Sequence, residues 1–396
     1  MAWPGEVIEE RATDIADAAD VLLRYQAAWR HRRVETITVL TPDHVRRHVS
    51  IDFTVPEAQR EGLRISPEEF VVPLALLTKR PLVHFDLRNE EQHAISLLTA
   101  EQHRTIAREL LYRQLDSDEA GEDVLAAAGD LIEAVLEDQP QDVQAEIAAL
   151  EAAHGVVLPD FRATASVLSQ NFIAWALVRG LDRRRVFKFA ADEPVERARF
   201  AYVLAARGCT EAESYHAEVA VPADLKASRT LLVDTATGRR LATGERNADR
   251  PALHFRAQAP LPESAAIVVD FAAERLRFLA PAAFVASIIA LLIAPPFLFS
   301  DLQALPDTAG AAVGLVLSTS AVFSVLVLRT DEHPLLRLML VRGRALLAAS
   351  TVAALFAAAS IGFRTAGWII EGTWALAALA SVLTAGILCV EALRAP

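Results

Sequence analysis

The sequence predicts a multi-domain membrane protein: an α+β cytoplasmic region, β-sandwich-like with a helical insertion, followed by four transmembrane α-helices. Three observations predict it. Long runs without a charged residue are confined to residues 276–396. Before them, stretches of alternating apolar and polar residues flank a block whose apolar residues recur at helical spacing, and these are the periods of strand and helix. That block also holds a run of acids equal in number to the net charge of the chain, −12.

Residues 1–98 hold an N-terminal helix and a first group of strands. Ile8, Ile15, Leu22, Tyr25 and Trp29 predict one amphipathic helix over 7–30. VETITVL follows, then HVRRHVSIDFTVP, in which Val49, Ile51, Phe53 and Val55 alternate with Ser50, Asp52 and Thr54, the pattern of a half-buried strand. RPLVHFDLRNEEQHAISLL predicts two more strands about a turn at 88–91.

Residues 99–180 read as a helical insertion. Thr99 and Gln102 fit a capping box, and Ile106, Leu110 and Leu111 carry the apolar face of the helix it starts. Val124, Leu125, Ala128, Leu131, Ile132, Val135 and Leu136 form a stripe of helical period, and Pro140 breaks the chain. Val143, Ile147 and Leu150 carry another helix. A third begins near Asp160, carries Val167, Leu168, Phe172 and Trp175, and is expected to end at Gly180.

Residues 181–275 return to strand patterns: VFKF, YHAEVAV, RTLLVDT and RRLAT about a turn at 236–238, ALHFRA and AAIVVDF. This second group is expected to pack with the first and complete a β-sandwich, since a sheet buries its apolar face against another layer.

Residues 276–396 predict a four-helix transmembrane domain with spans at about 278–300, 308–328, 345–363 and 372–390. Some 20 apolar residues suffice to cross the roughly 30 Å hydrocarbon layer. Arg275, Arg277, Arg329, Arg337, Arg342, Arg344 and Arg394 flank one side of these spans and Arg364 alone the other. That positive-inside bias predicts a multi-pass protein of the plasma membrane, with both termini and the large front portion in the cytoplasm. The first residues have no basic segment followed by an apolar core, so no secretory signal peptide is expected. Cys209 and Cys389 fall in different compartments and are not expected to pair.

The segments HVSIDFTVP, FVVPLALLTKRPLVHFDLR and SYHAEVAVP, with a strand leading into a C-terminal membrane segment, resemble uncharacterised actinobacterial multi-pass membrane proteins with a large N-terminal cytoplasmic region. The resemblance implies a membrane location and no particular activity.

Residues 116–151 hold twelve acids and no Lys or Arg. Of these, Asp116, Asp118, Glu119, Glu122, Asp123, Asp130, Glu133, Glu137 and Asp138 are candidate contacts for a basic protein partner, and the remaining expectation is a solvated helical face. Arg179, Arg183, Arg184 and Arg185 are candidates for contact with anionic lipid or a second subunit, or for capping a helix C-terminus. Gly310 and Gly314 form a small-xxx-small pair suited to helix packing and to self-association into a homo-oligomer. His44 and His48 lie in a strand pattern and lack the Glu of H-E-x-x-H, so no metal site is expected. No catalytic or cofactor motif is present, no calcium loop, and the charge disfavours nucleic acid. The expected function is non-catalytic: a membrane-anchored interaction or scaffold protein. The alternative is a subunit of a channel or transporter regulated by its cytoplasmic domain.

Overall fold

Two strands with strict alternation, β1 (Arg30–Thr41) and β2 (His44–Phe53), form the hairpin on which the front region is built. The computed structural model describes residues 4–80, 83–198, 201–246, 248–256, 264–273, 280–299, 332–363 and 365–394. Along β1 the odd-numbered residues from Arg33 to Val39 are buried, and along β2 those from Val45 to Phe53, so one face of the hairpin turns inward.

With β3 (Glu69–Thr78), β4 (Val83–Arg88), β5 (Asn171–Arg179), β6 (Arg185–Pro194), β7 (Glu196–Ala198), β8 (Ala201–Ala205), β9 (Ser214–Ala220), β10 (Leu225–Asp234), β11 (Arg240–Thr243), β12 (Ala252–Arg256) and β13 (Ala265–Ala273), the strands make three sheets. The first is six-stranded in the order β12-β9-β1-β2-β6-β4, the second five-stranded in the order β11-β10-β13-β8-β7, and the third is the ribbon β3-β5. The six-stranded sheet interleaves strands from before and after the helical insertion, and β1 runs parallel to β9 across a separation of nearly two hundred residues.

The inner face of this sheet is covered by two different layers. At one end Ile37, Val39 and Val45 pack with Tyr202, Leu232, Ile267 and Val269 of the five-stranded sheet. At the other, Val49, Ile51 and Phe53 pack with the ribbon and with helices. The helices are α1 (Pro4–Glu10), α2 (Ala12–Arg24), α3 (Gln26–Trp29), α4 (Glu57–Arg60), α5 (Ala100–Ser117), α6 (Glu122–Ala127), α7 (Gly129–Leu136), α8 (Gln144–His154) and α9 (Pro159–Gln170). Trp29 stands edge-on to Phe53 with ring centroids 5.3 Å apart, joining the N-terminal helices to the sheet.

Several local expectations hold. Thr99 caps α5 with the reciprocal capping box to Gln102. Gly238, at φ 68°, turns the chain between β10 and β11. Other expectations need correction. The helix expected over 7–30 is three helices, broken at Arg11 and Tyr25. The segment 171–179 is a strand and not the end of a helix: NFIAWALVR is rich in β-branched and aromatic residues and pairs along its length with β3. Gly180, at φ 62°, therefore turns one strand toward the next instead of capping a helix. Of the two strands expected about 88–91, only β4 forms; beyond the turn two isolated bridges, Arg88 to Ala94 and Leu97 to Ala176, replace the second.

In the C-terminal part, α10 (Ala280–Phe299), α11 (Pro334–Gly362) and α12 (Gly367–Arg394) are apolar helices. The last two are long and apolar enough to cross a membrane by length and composition. Four spans are not supported. Among the described residues the apolar stretch of α10 is Ala280–Leu291. The span expected at 308–328, with Gly310 and Gly314, lies outside the described residues. Helix α11 begins well before the expected span, so that Arg337, Arg342 and Arg344 lie on the helix itself, with Arg344 paired to Glu332. α12 packs against both of its neighbours, and the Trp374 indole donates to the Ile293 carbonyl at 2.9 Å. Leu335, Leu336, Ala282 and Ala392 belong to the same apolar cluster as the interior between the two large sheets, and His333 Nε2 donates to the Val39 carbonyl at 3.0 Å.

Candidate functional site

Where α5, α7 and α9 meet the end of the ribbon they leave a cavity of about 740 Å³. Its wall is apolar: Leu98, Leu136, Leu168, Phe172, Ile173 and Trp175 line it. The polar groups come from separate segments: Lys79 and Arg80 from the end of β3, His103 and Arg104 from α5, Glu137, Asp138 and Gln139 from just beyond α7, and Asn171 from the start of β5. An apolar cavity of this size with a small set of convergent polar groups is the usual form of a small-molecule site.

Lys79 is only 8% exposed, and its ammonium donates to the Val135 carbonyl at 2.5 Å, in the last turn of α7, where orphan carbonyls and the negative end of the helix dipole favour a cation. Burial lowers its pKa; Asp138 and Glu137 oppose that from a distance, and no carboxylate lies within ion-pair range among the described residues. His103 Nδ1 lies 2.9 Å from the Ile173 carbonyl. A carbonyl only accepts, so this nitrogen carries the proton; burial lowers the pKa, opposed by the backbone of Ile173 and Leu98. Arg104 stands 3.7 Å from Asp138 at the mouth. These groups can bind and orient; among the described residues they form no arrangement of nucleophile, base and oxyanion donors.

A second constellation lies at the centre of the inner sheet face, between the two apolar clusters. Glu35, fully buried, accepts from Arg33 Nε at 2.8 Å, from Arg47, and from the Tyr215 hydroxyl at 3.1 Å. Glu211 accepts from Arg33 at 2.6 Å and from Arg30 at 3.1 Å. Arg30 reaches on to the carbonyls of Pro73 and Leu74 at 3.1 and 3.0 Å, at the bulge that interrupts the β3–β5 register. Arg47 also donates to the Ala205 carbonyl at 3.0 Å. Burial alone would raise the Glu35 pKa, but Arg47 and Arg33 outweigh it and hold the carboxyl below its usual range. Gly208 lies flat on this network: a Cβ there would stand 1.9 Å from Arg33 Nε. With its members bonded to one another and to the backbone of all three sheets, the network acts as a joint, fixing their relative register.

The acidic stretch is largely neutralised from within. Asp116 pairs with Arg113, Asp123 with His154, Glu133 with Arg108 at 2.8 Å, and Glu151 with Arg162. Asp118 caps α9, accepting from the backbone of Asp160 and Phe161 at 3.2 and 2.9 Å. Glu137 accepts from Gln141, and Glu137 and Asp138 border the cavity. Glu119, Glu122, Asp130 and Glu146 are exposed and make no ion pair among the described residues. The arginine group caps no helix, because the helix expected before it is a strand. Arg179 pairs with Glu69, Arg184 with Asp52, and Arg185 with Glu90, whose carboxylate also lies 3.7 Å from Arg183. His44 and His48 sit on the same exposed face of β2, about 13 Å apart by strand rise.

Sequence reasoning missed the cavity and the buried network. The spacing of Arg33, Glu35 and Arg47 on alternating strands was a signal, since charges at inward positions of a strand demand partners. No protein-family model matches the chain, and no curated protein matches it.

Proposed function

We propose that the protein is a membrane-anchored, non-catalytic binding module, held by its C-terminal helices and presenting its β-rich region and helical insertion to a protein partner. The observation that carries this reading is the unequal treatment of the insertion's acids: most are consumed by internal arginines, a histidine or helix caps, whereas Glu119, Glu122, Asp130 and Glu146 stay exposed and unpaired among the described residues. A basic partner would relieve their mutual repulsion. In this reading the chain crosses the plasma membrane four times, at 278–300, 308–328, 345–363 and 372–390, with the binding region cytoplasmic, as the arginine bias at the span ends supports.

The test is in-cell cross-linking with mass spectrometry on the full chain and on a variant carrying Glu119→Gln, Glu122→Gln, Asp130→Asn and Glu146→Gln. These acids make no side-chain hydrogen bond or ion pair among the described residues, so the variant is expected to keep the fold, which circular dichroism checks. Loss of a specific partner supports the reading; an unchanged set of links refutes it.

A channel or transporter subunit regulated by its front region is the second reading. One observation favours it: the apolar cluster between the two large sheets continues without interruption into the feet of α10, α11 and α12, so a displacement of the sheets would be felt by the helices. Flux in liposomes that responds to mutation of the sheet interior would support it over the first.

A further inference from the structure

We propose that the cavity of the helical insertion binds a small amphipathic monocarboxylate, with the alkyl or aryl body on the apolar wall and the carboxylate on the Lys79 ammonium. This site is separate from the surface acids invoked above and stands without them.

The argument starts with Lys79. Its side chain is more than nine-tenths buried and lines the cavity, and it has three N–H donors, of which one reaches the Val135 carbonyl. No other partner is found among the described residues. A desolvated ammonium with spare donors and no carboxylate in range is costly to maintain, and burial lowers its pKa accordingly. An anion arriving in the cavity would satisfy those donors.

The net charge of the mouth selects the anion. Among the Lys, Arg and carboxylate side chains of the lining, Lys79, Arg80 and Arg104 face Glu137 and Asp138, three cations against two acids, while His103 is already bonded to the Ile173 carbonyl. One excess positive charge suits a monoanion. A phosphate group, with a charge of about −1.5 to −2, would meet repulsion from both acids. Arg80 is exposed and makes no side-chain bond among the described residues, so it can swing onto the second carboxylate oxygen. The rest of the ligand is read from the wall: Leu98, Leu136, Leu168, Phe172, Ile173 and Trp175 are apolar, and the two amides that also line it are Gln139 and Asn171, the latter donating to the Val167 carbonyl. The volume, about 740 Å³, lies inside the range for small ligands.

The test uses the full chain in nanodiscs of zwitterionic lipid, a diazirine-bearing decanoic acid, and the matching decanol. The acid should label peptides spanning 97–107 and 168–175, decanoate should compete that label away, and decanol should compete more weakly. Lys79→Met should weaken decanoate competition by about tenfold or more, the loss expected for a charge-assisted bond, and leave decanol unchanged. Label confined to α10, α11 and α12, equal competition by acid and alcohol, or no effect of Lys79→Met would overturn the proposal. Because Lys79 also caps α7, Arg80→Gln provides a second variant on an exposed side chain. It should weaken the acid and spare the alcohol; if it does neither while Lys79→Met fails to fold, the proposal is overturned as well.

Discussion

Replacing Glu35 with Gln isolates the buried network in one atom's worth of chemistry. The shape is kept and the charge is lost. In the native arrangement both carboxylate oxygens accept, one from Arg33 Nε at 2.8 Å, the other from Arg47 and from the Tyr215 hydroxyl at 3.1 Å. A Gln amide retains one acceptor and turns its NH2 toward the second guanidinium, donor against donor, so Arg33 and Arg47 remain buried with their principal anion gone. Removing one partner of a buried, hydrogen-bonded charge group costs roughly 3–5 kcal/mol, against about 0–1 for an exposed pair. At about 2–4 °C per kcal/mol for a domain of comparable size, Tm should fall on the order of 10 °C. The assay is thermal unfolding of the full chain followed by circular dichroism, with Arg108→Gln, at an exposed pair with Glu133, as the surface control. The pH dependence supplies a second check. The folded-state pKa of Glu35 lies below its ordinary value of about 4.5, so its stabilisation is complete above that value and is lost as pH falls through the folded pKa. The gap between native and variant should stay constant from about pH 8 to 5 and close in stronger acid. A gap under about 1 kcal/mol, or one that persists unchanged in strong acid, would show that the network contributes no more than surface pairs do.

Three further outcomes rest on named residues. Thr99→Ala removes the half of the α5 capping box in which the hydroxyl accepts from the Gln102 N–H, leaving the backbone of residue 99 to donate to the Gln102 side chain, and should cost about 1 kcal/mol in chemical denaturation, with the cavity intact by decanoate competition. Cys209 is 2% exposed, and burial, reinforced by Glu35 and Glu211, pushes its thiol up to about 12, so a maleimide should leave it unreacted in lysed membranes as in intact cells until the protein is denatured. Sidedness of the membrane is therefore read better from Val157→Cys, 76% exposed on the helical insertion, which should react with an impermeant maleimide only after lysis if the front region is cytoplasmic.

What was legible in the sequence was local. The period-two run of β2, the Thr99–Gln102 box and the turn at Gly238 depend on residues within a few positions of one another, and backbone chemistry decides them. The apolar character of α11 and α12 is likewise a property of composition. Residues 171–179 mark the limit: Val167, Leu168, Phe172 and Trp175 fit a helical stripe, and only the ladder with β3, a hundred residues earlier, makes that segment a strand. The acids of 116–151 were plain as charges, yet their arginines lie on α5 and α9, so how many are neutralised depended on helix packing. Glu211 meets Arg30 and Arg33 because β9 lies parallel to β1, and the cavity gathers groups from 79, 103 and 137 that no spacing connects. The sequence by itself determined which segments are apolar, alternating or capped, since those follow from neighbours along the chain. Tertiary structure alone decided which charges are paired and which ammonium lines a cavity, because burial and ion pairing are set by residues brought together only when the sheets and helices close on one another.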